Sequence, residues 1–224
     1  MKQLALDIGL ARPPSLAGFL AGPNEAAWRH LRLWTESPTR SPVPTYLWGP
    51  SGCGKTHLLR AVQEALREQG ARCGWLDPSL AEPPPFDERW SVVLLDDVQA
   101  YGAVQQHAAF AWFVQAQTLQ RGVLAAGSLP PADLVMREDL RTRLGWGHVF
   151  QLHVPSEPER RAVLRQAADE RGIFLTDEVM DFILTRFSRD LASLMQLLDQ
   201  LDAYALRAQR AITIPLIKSM LESE

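Results

Sequence analysis

The sequence predicts an α/β domain with a parallel sheet, followed by a smaller domain made only of helices. Strand and helix patterns alternate up to Val154, which requires crossover connections between parallel strands. A glycine-rich turn joins the first strand to an amphipathic helix, and from Pro155 onward every periodic segment is helical. We therefore divide the chain into a tail at 1–14, an α/β domain at 15–154 and a helical domain at 155–224.

The composition is that of an ordinary globular protein: of 224 residues, 46% are hydrophobic and 22% are charged. A formal net charge of −3 gives no broad basic surface, so direct sequence-specific binding to DNA is not expected. Cys53 and Cys73 have no Cys or His partner at metal-ligand spacing, which is typical of a reducing cytosol. Because Asp7 interrupts the apolar start and no run reaches about 18 apolar residues, we expect a cytoplasmic protein without signal peptide or membrane contact.

Five apolar segments predict the strands of the sheet. The helix before them spans Asn24 to Trp34, with Asn24 as a suitable N-cap, and the helix after the glycine-rich turn ends at Gly70. The segment SVVLLDD has a continuous apolar run, as expected of a strand buried on both faces of a parallel sheet. The predicted strands are TYLW, RCGWLD, SVVLLDD, GVLAAGS and HVFQLHV.

Four helices are predicted in the C-terminal domain. The first has Ser156 and Glu159 at capping-box spacing and ends at Gly172. A helix over TDEVMDFILTRF follows, and a long helix begins at Arg189. The last helix is short, with Thr213 as its cap and a proline close to its first turn.

The segment GPSGCGKT matches the phosphate-loop pattern G-x4-G-K-[ST] between a strand and a helix. Its glycines let backbone N–H groups surround a β-phosphate, Lys55 supplies a charge to the β and γ oxygens, and Thr56 offers a hydroxyl to Mg²⁺. The predicted cofactors are therefore ADP or ATP, with Mg²⁺. The predicted nucleotide contacts here are Gly49, Pro50, Ser51, Gly52, Cys53, Gly54, Lys55, Thr56 and the next residue, His57.

Two carboxylates follow the third predicted strand. Asp96 is placed to support Mg²⁺ together with Thr56, and Asp97 is the candidate to orient or deprotonate an attacking water. Many phosphate-loop ATPases have Glu at the position of Asp97. Because Asp is one methylene shorter, slow turnover of ATP is expected. An acidic turn that faces solvent is the alternative interpretation of this pair.

Arg141 and Arg143 precede a Gly-Trp-Gly turn at the predicted end of a helix. The helix dipole favours a positive charge at this end, and that alone explains them. The other interpretation is an arginine finger, a guanidinium that reaches the nucleotide of a neighbouring molecule. The spacing does not choose between the two.

Together these motifs resemble those of AAA+ ATPases, and more narrowly those of the DnaA branch. GKTHLL, LLDDVQ, RTRLGWG and the RDL that begins the long helix carry the resemblance. SLAGFLAGPNEAAW is similar to the DnaA segment that helps to enclose the adenine. The likeness runs from about Ser15 to Glu224 and covers only the ATPase part of DnaA, so neither the oligomerisation domain nor the helix-turn-helix domain of DnaA is expected.

A stand-alone DnaA-type ATPase module resembles the Hda family, whose members couple DnaA to the replicative sliding clamp and promote hydrolysis of DnaA-bound ATP. LRTRLGWGHVFQL and LDQLDAYALRAQRAITIPLIKSML carry this further likeness. It implies that Arg143 is the arginine finger directed at DnaA and that Arg189 is the sensor-2 arginine of this chain's own pocket. Ser128 stands at the sensor-1 position, where DnaA-type proteins have a more strongly polar residue, so at most weak intrinsic hydrolysis is expected.

The resemblance thus predicts a negative regulator of replication initiation, with DnaA and the sliding clamp as partners. An autonomous DNA-dependent ATPase such as a helicase loader, and a small-molecule kinase, are the alternatives. The slightly acidic composition disfavours the first, and the four-helix C-terminal domain in place of a substrate lid disfavours the second. The resident nucleotide, ADP or ATP, and the oligomeric state, a homo-oligomer included, stay open.

The chain begins with an isolated apolar patch, QLALDI. Its spacing suits an extended peptide whose side chains enter separate pockets, while an edge strand or a loose terminus is the alternative. The patch is similar to the Gln-Leu-x-Leu peptide that binds the sliding clamp, the β subunit of DNA polymerase III, and Pro13 and Pro14 suit a spacer after it. The predicted clamp contacts are Gln3, Leu4, Leu6 and Ile8.

Overall fold

The computed structural model describes residues 14–19, 21–187 and 191–222. These residues fall into two compact units that divide between Val154 and Pro155. Within the described ranges, no helix is both long enough and apolar enough to cross a membrane.

The first unit alternates strands and helices along the chain. A 3₁₀ turn at Gly22–Asn24 leads into the first helix, and further 3₁₀ turns lie at Val98–Ala100 and Pro131–Asp133. The helices are α1 (Glu25–Glu36), α2 (Lys55–Glu68), α3 (Ala103–Thr118) and α4 (Glu138–Leu144). The strands are β1 (Thr45–Trp48), β2 (Arg72–Leu76), β3 (Trp90–Leu95), β4 (Gly122–Gly127) and β5 (His148–Gln151).

The five strands form one parallel sheet in the order β2-β3-β4-β1-β5. The predicted α/β class with a parallel sheet is therefore confirmed. The central strand β4 is buried along its whole length, as its run of small and apolar residues predicts. Because the chain moves to one side of β1 for β2 and to the other side for β5, the crevice at the carboxyl end of β1 is a topological switch point, where such folds bind ligands.

Apolar side chains fill both faces of this sheet. On one face Leu47 and Leu94 pack with buried residues of α1 and α2. On the other face Tyr46 and Leu95 pack with α3 and α4. Successive residues of a strand point to opposite faces, so β1, β2, β3 and β4 each contribute to both cores, whereas β5 contributes Phe150 to the first.

The start of α1 differs from the prediction in one respect. Asn24 precedes the helix, but its side chain makes no cap hydrogen bond. Its amide donates to the His153 carbonyl (3.0 Å) and its Oδ1 accepts from the His153 N–H (2.7 Å). Asn24 is buried, and these two bonds satisfy both ends of its amide, so the residue joins α1 to the segment after β5 instead of capping the helix.

In its described residues the second unit has four helices around its own apolar core. They are α5 (Glu157–Glu170), α6 (Asp177–Arg186), α7 (Leu191–Ala208) and α8 (Ile214–Glu222). The predicted capping box is present at the start of α5, where the Ser156 N–H and hydroxyl both donate to the Glu159 carboxylate (2.6 and 2.7 Å). The core of this unit draws on every one of the four helices.

Candidate nucleotide-binding site

The glycine-rich segment lies at the carboxyl end of β1 and leads directly into α2. Gly54, the residue before α2, has a φ of +99°, a conformation that L side chains rarely adopt. A Cβ on Gly49 would lie closer than 3.0 Å to the Leu152 carbonyl oxygen. Glycine is therefore required at both positions, once for backbone conformation and once for the close approach of the chain after β5.

Lys55 begins α2 and turns its side chain back over the loop. Its Nζ donates to the carbonyls of Gly49 (2.8 Å) and Pro50 (2.9 Å), and the Cys53 Sγ lies 3.8 Å away. Only 7% of Lys55 is exposed. The loop thus holds a mostly buried ammonium group at its centre, and burial raises the pKa of the neighbouring Cys53 thiol despite that charge.

The first N–H groups of α2 have no partner within the helix, and within the described residues no side chain at the N-cap bonds to them. Unpaired N–H groups at a helix N-terminus, together with the positive end of the helix dipole, bind phosphate. This N-terminus and the Lys55 ammonium lie in the same loop, so the residues present fit a nucleotide phosphate.

Asp96 and Thr56 meet beside this loop. Asp96 follows β3 and is 4% exposed, and the Thr56 hydroxyl is hydrogen-bonded to its carboxylate. Burial raises the pKa of Asp96, the Thr56 hydrogen bond opposes that effect, and the negative charge of Asp97 adds to it. A hydroxyl and a carboxylate are hard oxygen donors of the kind Mg²⁺ takes in nucleotide sites, so these two side chains fit the ion.

Asp97 adopts a left-handed backbone conformation, with φ 50° and ψ 45°, at the start of the 3₁₀ turn. Its N–H donates to Asp96 Oδ1 (3.1 Å), and its own Oδ1 accepts from Gln99 Nε2 (3.2 Å). The Oε1 of Gln99 accepts from the backbone N–H of Ser128 (2.9 Å). The structure therefore brings Asp97 and Ser128, two residues predicted from the sequence, to opposite ends of one glutamine side chain.

The segment before α1 covers the other side of the loop. A Cβ on Gly54 would meet the Phe19 ring, and the rings of Phe19 and His57 lie 5.8 Å apart. The Leu16 carbonyl accepts from Trp28 Nε1 (2.7 Å), which ties the segment to α1. Burial lowers the pKa of His57, and a hydrogen bond to the Ser15 backbone partly offsets that effect.

Arg143 lies in the last turn of α4 and is only partly exposed. Its guanidinium carbon stands 5.4 Å from the centre of the Phe110 ring and 5.9 Å from that of Phe113, both on α3. Arg137 contacts Phe110 as well, but its guanidinium also donates two hydrogen bonds to Asp139 (2.6 and 2.7 Å). In the part of the chain that the structure describes, Arg143 has no such carboxylate partner.

Some predicted residues lie outside the described part of the chain. These are the sensor-2 candidate Arg189 and the predicted clamp contacts Gln3, Leu4, Leu6 and Ile8. Two residues beside the loop had no role in the prediction, Gln99 and Phe19. The position of Gln99 two residues after Asp97 was the available signal for the first, and Phe19 stands within SLAGFLAGPNEAAW, the segment that is similar to one in DnaA.

Three features define the class of AAA+ ATPase folds: a phosphate loop after the first strand of a parallel sheet, an acidic strand end beside that loop, and a second, helical unit. Solved structures share this fold. Domain III of the Thermotoga maritima replication initiation protein DnaA matches with a TM-score of 0.74 and 20% identity, over 93% of this chain and 95% of that one. The AMPPCP-bound DnaA of Aquifex aeolicus matches with a TM-score of 0.68 and 20% identity, over 88% of this chain and 68% of that one. The Thermotoga maritima RuvB branch-migration motor matches with a TM-score of 0.66 and 16% identity, over 95% and 72% of the two chains.

Sequence comparisons identify the family. The model of the Hda lid domain matches residues 157–221, and that of the bacterial DnaA ATPase domain matches residues 14–73. An uncharacterized protein of Haemophilus influenzae is 33% identical over 98% of both chains. The chain belongs to the Hda-like, DnaA-related AAA+ proteins, a family of DNA-replication regulators. The expected family and fold, an AAA+ domain with a helical lid, are both confirmed.

Proposed function

We propose that this chain binds ADP or ATP with Mg²⁺ and promotes hydrolysis of the ATP held by DnaA, with Arg143 as an arginine finger. Such a protein would limit re-initiation of replication. The observation that carries the proposal is the set of contacts made by the Arg143 guanidinium. Aromatic rings hold it by their faces, which leaves its N–H groups available for phosphate oxygens.

In this chain's own pocket, the Lys55 ammonium and the N–H groups at the start of α2 would hold the nucleotide phosphates, and Thr56 and Asp96 would hold Mg²⁺. Bound Mg²⁺ would neutralise phosphate charge. Asp97 would orient or deprotonate water. The chain supplies Asp97 as the shorter carboxylate and an uncharged Ser128, which supports nucleotide binding with slow turnover.

The trans-acting role is tested with DnaA that carries radiolabelled ATP. We expect Arg143→Ala to bind nucleotide normally but to leave hydrolysis within a few-fold of the unstimulated rate, because arginine fingers supply about 10³- to 10⁵-fold. Arg141→Ala is the matched control, since it removes the same charge from the same helix. Full stimulation by Arg143→Ala, or its loss in Arg141→Ala alone, would overturn the assignment.

From the N-terminal patch QLALDI we propose that the sliding clamp is the partner that brings the chain to DnaA. We expect Gln3→Ala with Leu4→Ala to lose binding to the DNA-loaded sliding clamp in surface plasmon resonance, while Lys2→Ala retains it. Unchanged affinity of the double variant would show that the patch is only a terminus. Adding single-stranded DNA in place of DnaA and the clamp tests the helicase-loader alternative, which requires DNA-stimulated hydrolysis.

A further inference from the structure

The side chain of Gln99 spans the gap between two strand ends. Its Nε2 donates to Asp97 Oδ1 (3.2 Å) beyond β3, and its Oε1 accepts from the Ser128 N–H (2.9 Å) beyond β4. An amide side chain can donate at one end and accept at the other without carrying charge. A carboxylate at position 99 would keep the acceptor but would face the Asp97 carboxylate without a donor.

The surroundings leave room for this bridge and fix its ends. Gly127 has no side chain, and a Cβ there would stand 3.1 Å from Gln99 Oε1. The carbonyl of Gly127 accepts from the Gly49 N–H of the phosphate loop (3.2 Å). The bridge therefore connects the Asp97 carboxylate to a strand end that is itself bonded to the loop.

Asp97 needs such a restraint. Its backbone is in the left-handed region, which is uncommon for a residue with a side chain. Its backbone bonds to Asp96 and Ala100, and the described hydrogen bond of its side chain is the one from the Gln99 amide. A carboxylate that must stand within about 3 Å of a reacting water loses rate when it can rotate away.

We propose that Gln99 is a positioning residue, which fixes the Asp97 carboxylate relative to the end of β4 for hydrolysis in this chain's own pocket. The inference rests on the part of the proposed function that assigns Asp97. Asp97 takes a proton from the attacking water as the water oxygen bonds to the γ-phosphorus and the bond to the β–γ bridging oxygen breaks. ADP and phosphate are the products, and Gln99 exchanges no proton.

The first test is made without nucleotide, by amide hydrogen exchange in the full chain followed by NMR. We expect Gln99→Met to reduce the protection of the Ser128 N–H about tenfold, because its acceptor is lost. Gln99→Glu retains the acceptor and should keep that protection. Equal protection of Ser128 in wild type and Gln99→Met would overturn the bridge.

The second test is single-turnover hydrolysis of ATP, with the affinity for ATP measured in parallel. We expect Gln99→Met and Gln99→Glu each to lower the rate constant about tenfold with affinity unchanged, a loss equal to one well-placed hydrogen bond. In an Asp97→Asn background Gln99→Met should change the rate less than twofold, because the two residues act as one unit.

Gln106→Met is the matched control for this series. The Gln106 amide is a bridge as well, but it joins two backbone groups: it donates to the Tyr101 carbonyl (2.9 Å) and accepts from the Arg137 N–H (3.0 Å), and it does not bond to Asp97. Its turnover should stay within about twofold of wild type.

Three outcomes would overturn the role of Gln99: a full effect in the Asp97→Asn background, a Gln99→Met rate constant equal to or higher than that of wild type, or a wild type without turnover. These tests are independent of the proposed trans activity. The Gln99 variants are measured on ATP in this chain's own pocket, whereas the trans activity is measured on labelled ATP held by DnaA.

Discussion

Replacing Gly127 by alanine is predicted to destabilise the α/β unit mainly through the side chain of Tyr46. The added Cβ would lie closer than 3.0 Å to the Tyr46 hydroxyl and 3.0 Å from Val98 Cγ2. Tyr46 is fully buried, and its hydroxyl donates to the Leu129 carbonyl (2.8 Å). The ring must therefore move, and the buried hydroxyl loses its partner when it does.

The size of the effect follows from these two terms. Overpacking by one methyl group costs about 1–3 kcal/mol, and leaving a buried hydroxyl unpaired costs about 1–3 kcal/mol. We expect Gly127→Ala to lower the free energy of unfolding by about 2–6 kcal/mol. In a Tyr46→Phe background, where no hydroxyl occupies the space, the same substitution should cost at least about 1 kcal/mol less.

Urea unfolding followed by tryptophan fluorescence measures this loss of stability in the α/β unit. The seven tryptophans, at positions 28, 34, 48, 75, 90, 112 and 146, all precede Pro155, so their signal reports the α/β unit. A cost below about 0.5 kcal/mol for Gly127→Ala, or an equal cost in the Tyr46→Phe background, would refute the reasoning.

Two further predictions concern a histidine pair and a helix cap. Burial and the nearby His148 lower the pKa of His30, so the unfolded chain takes up this proton first and stability falls as pH drops below about 6.5. Between pH 7.5 and 5.5 wild type should lose about 1 kcal/mol more than His30→Gln by tryptophan-detected urea unfolding, and equal losses would contradict the sign. Ser156→Ala should destabilise the helical unit by about 1 kcal/mol in urea unfolding followed by far-UV circular dichroism, because the capping box at Glu159 is lost. An unshifted transition would show that the box contributes nothing.

Much of the fold was available from local sequence patterns. Continuously apolar segments predicted β3 and β4, and Ser156 with Glu159 predicted the start of α5. These features depend on residues a few positions apart, so spacing alone encodes them. Asn24 stands at the N-cap of α1 as predicted, but its side chain makes no capping bond, because it finds its hydrogen-bond partner 129 residues away at His153.

The sequence by itself determined the phosphate loop, the acidic strand end and the helical second unit, since each is a short motif with its own local physics. Tertiary structure decided what lies beside them. It placed Phe19 against Gly54, Arg143 over Phe110 and Phe113, and Gln99 between Asp97 and Ser128. Gln99 lies two residues from Asp97, but the other contacts join residues about 30 positions apart. Parallel strands are joined by long crossovers, so such neighbours come from distant parts of the chain and no local pattern records them.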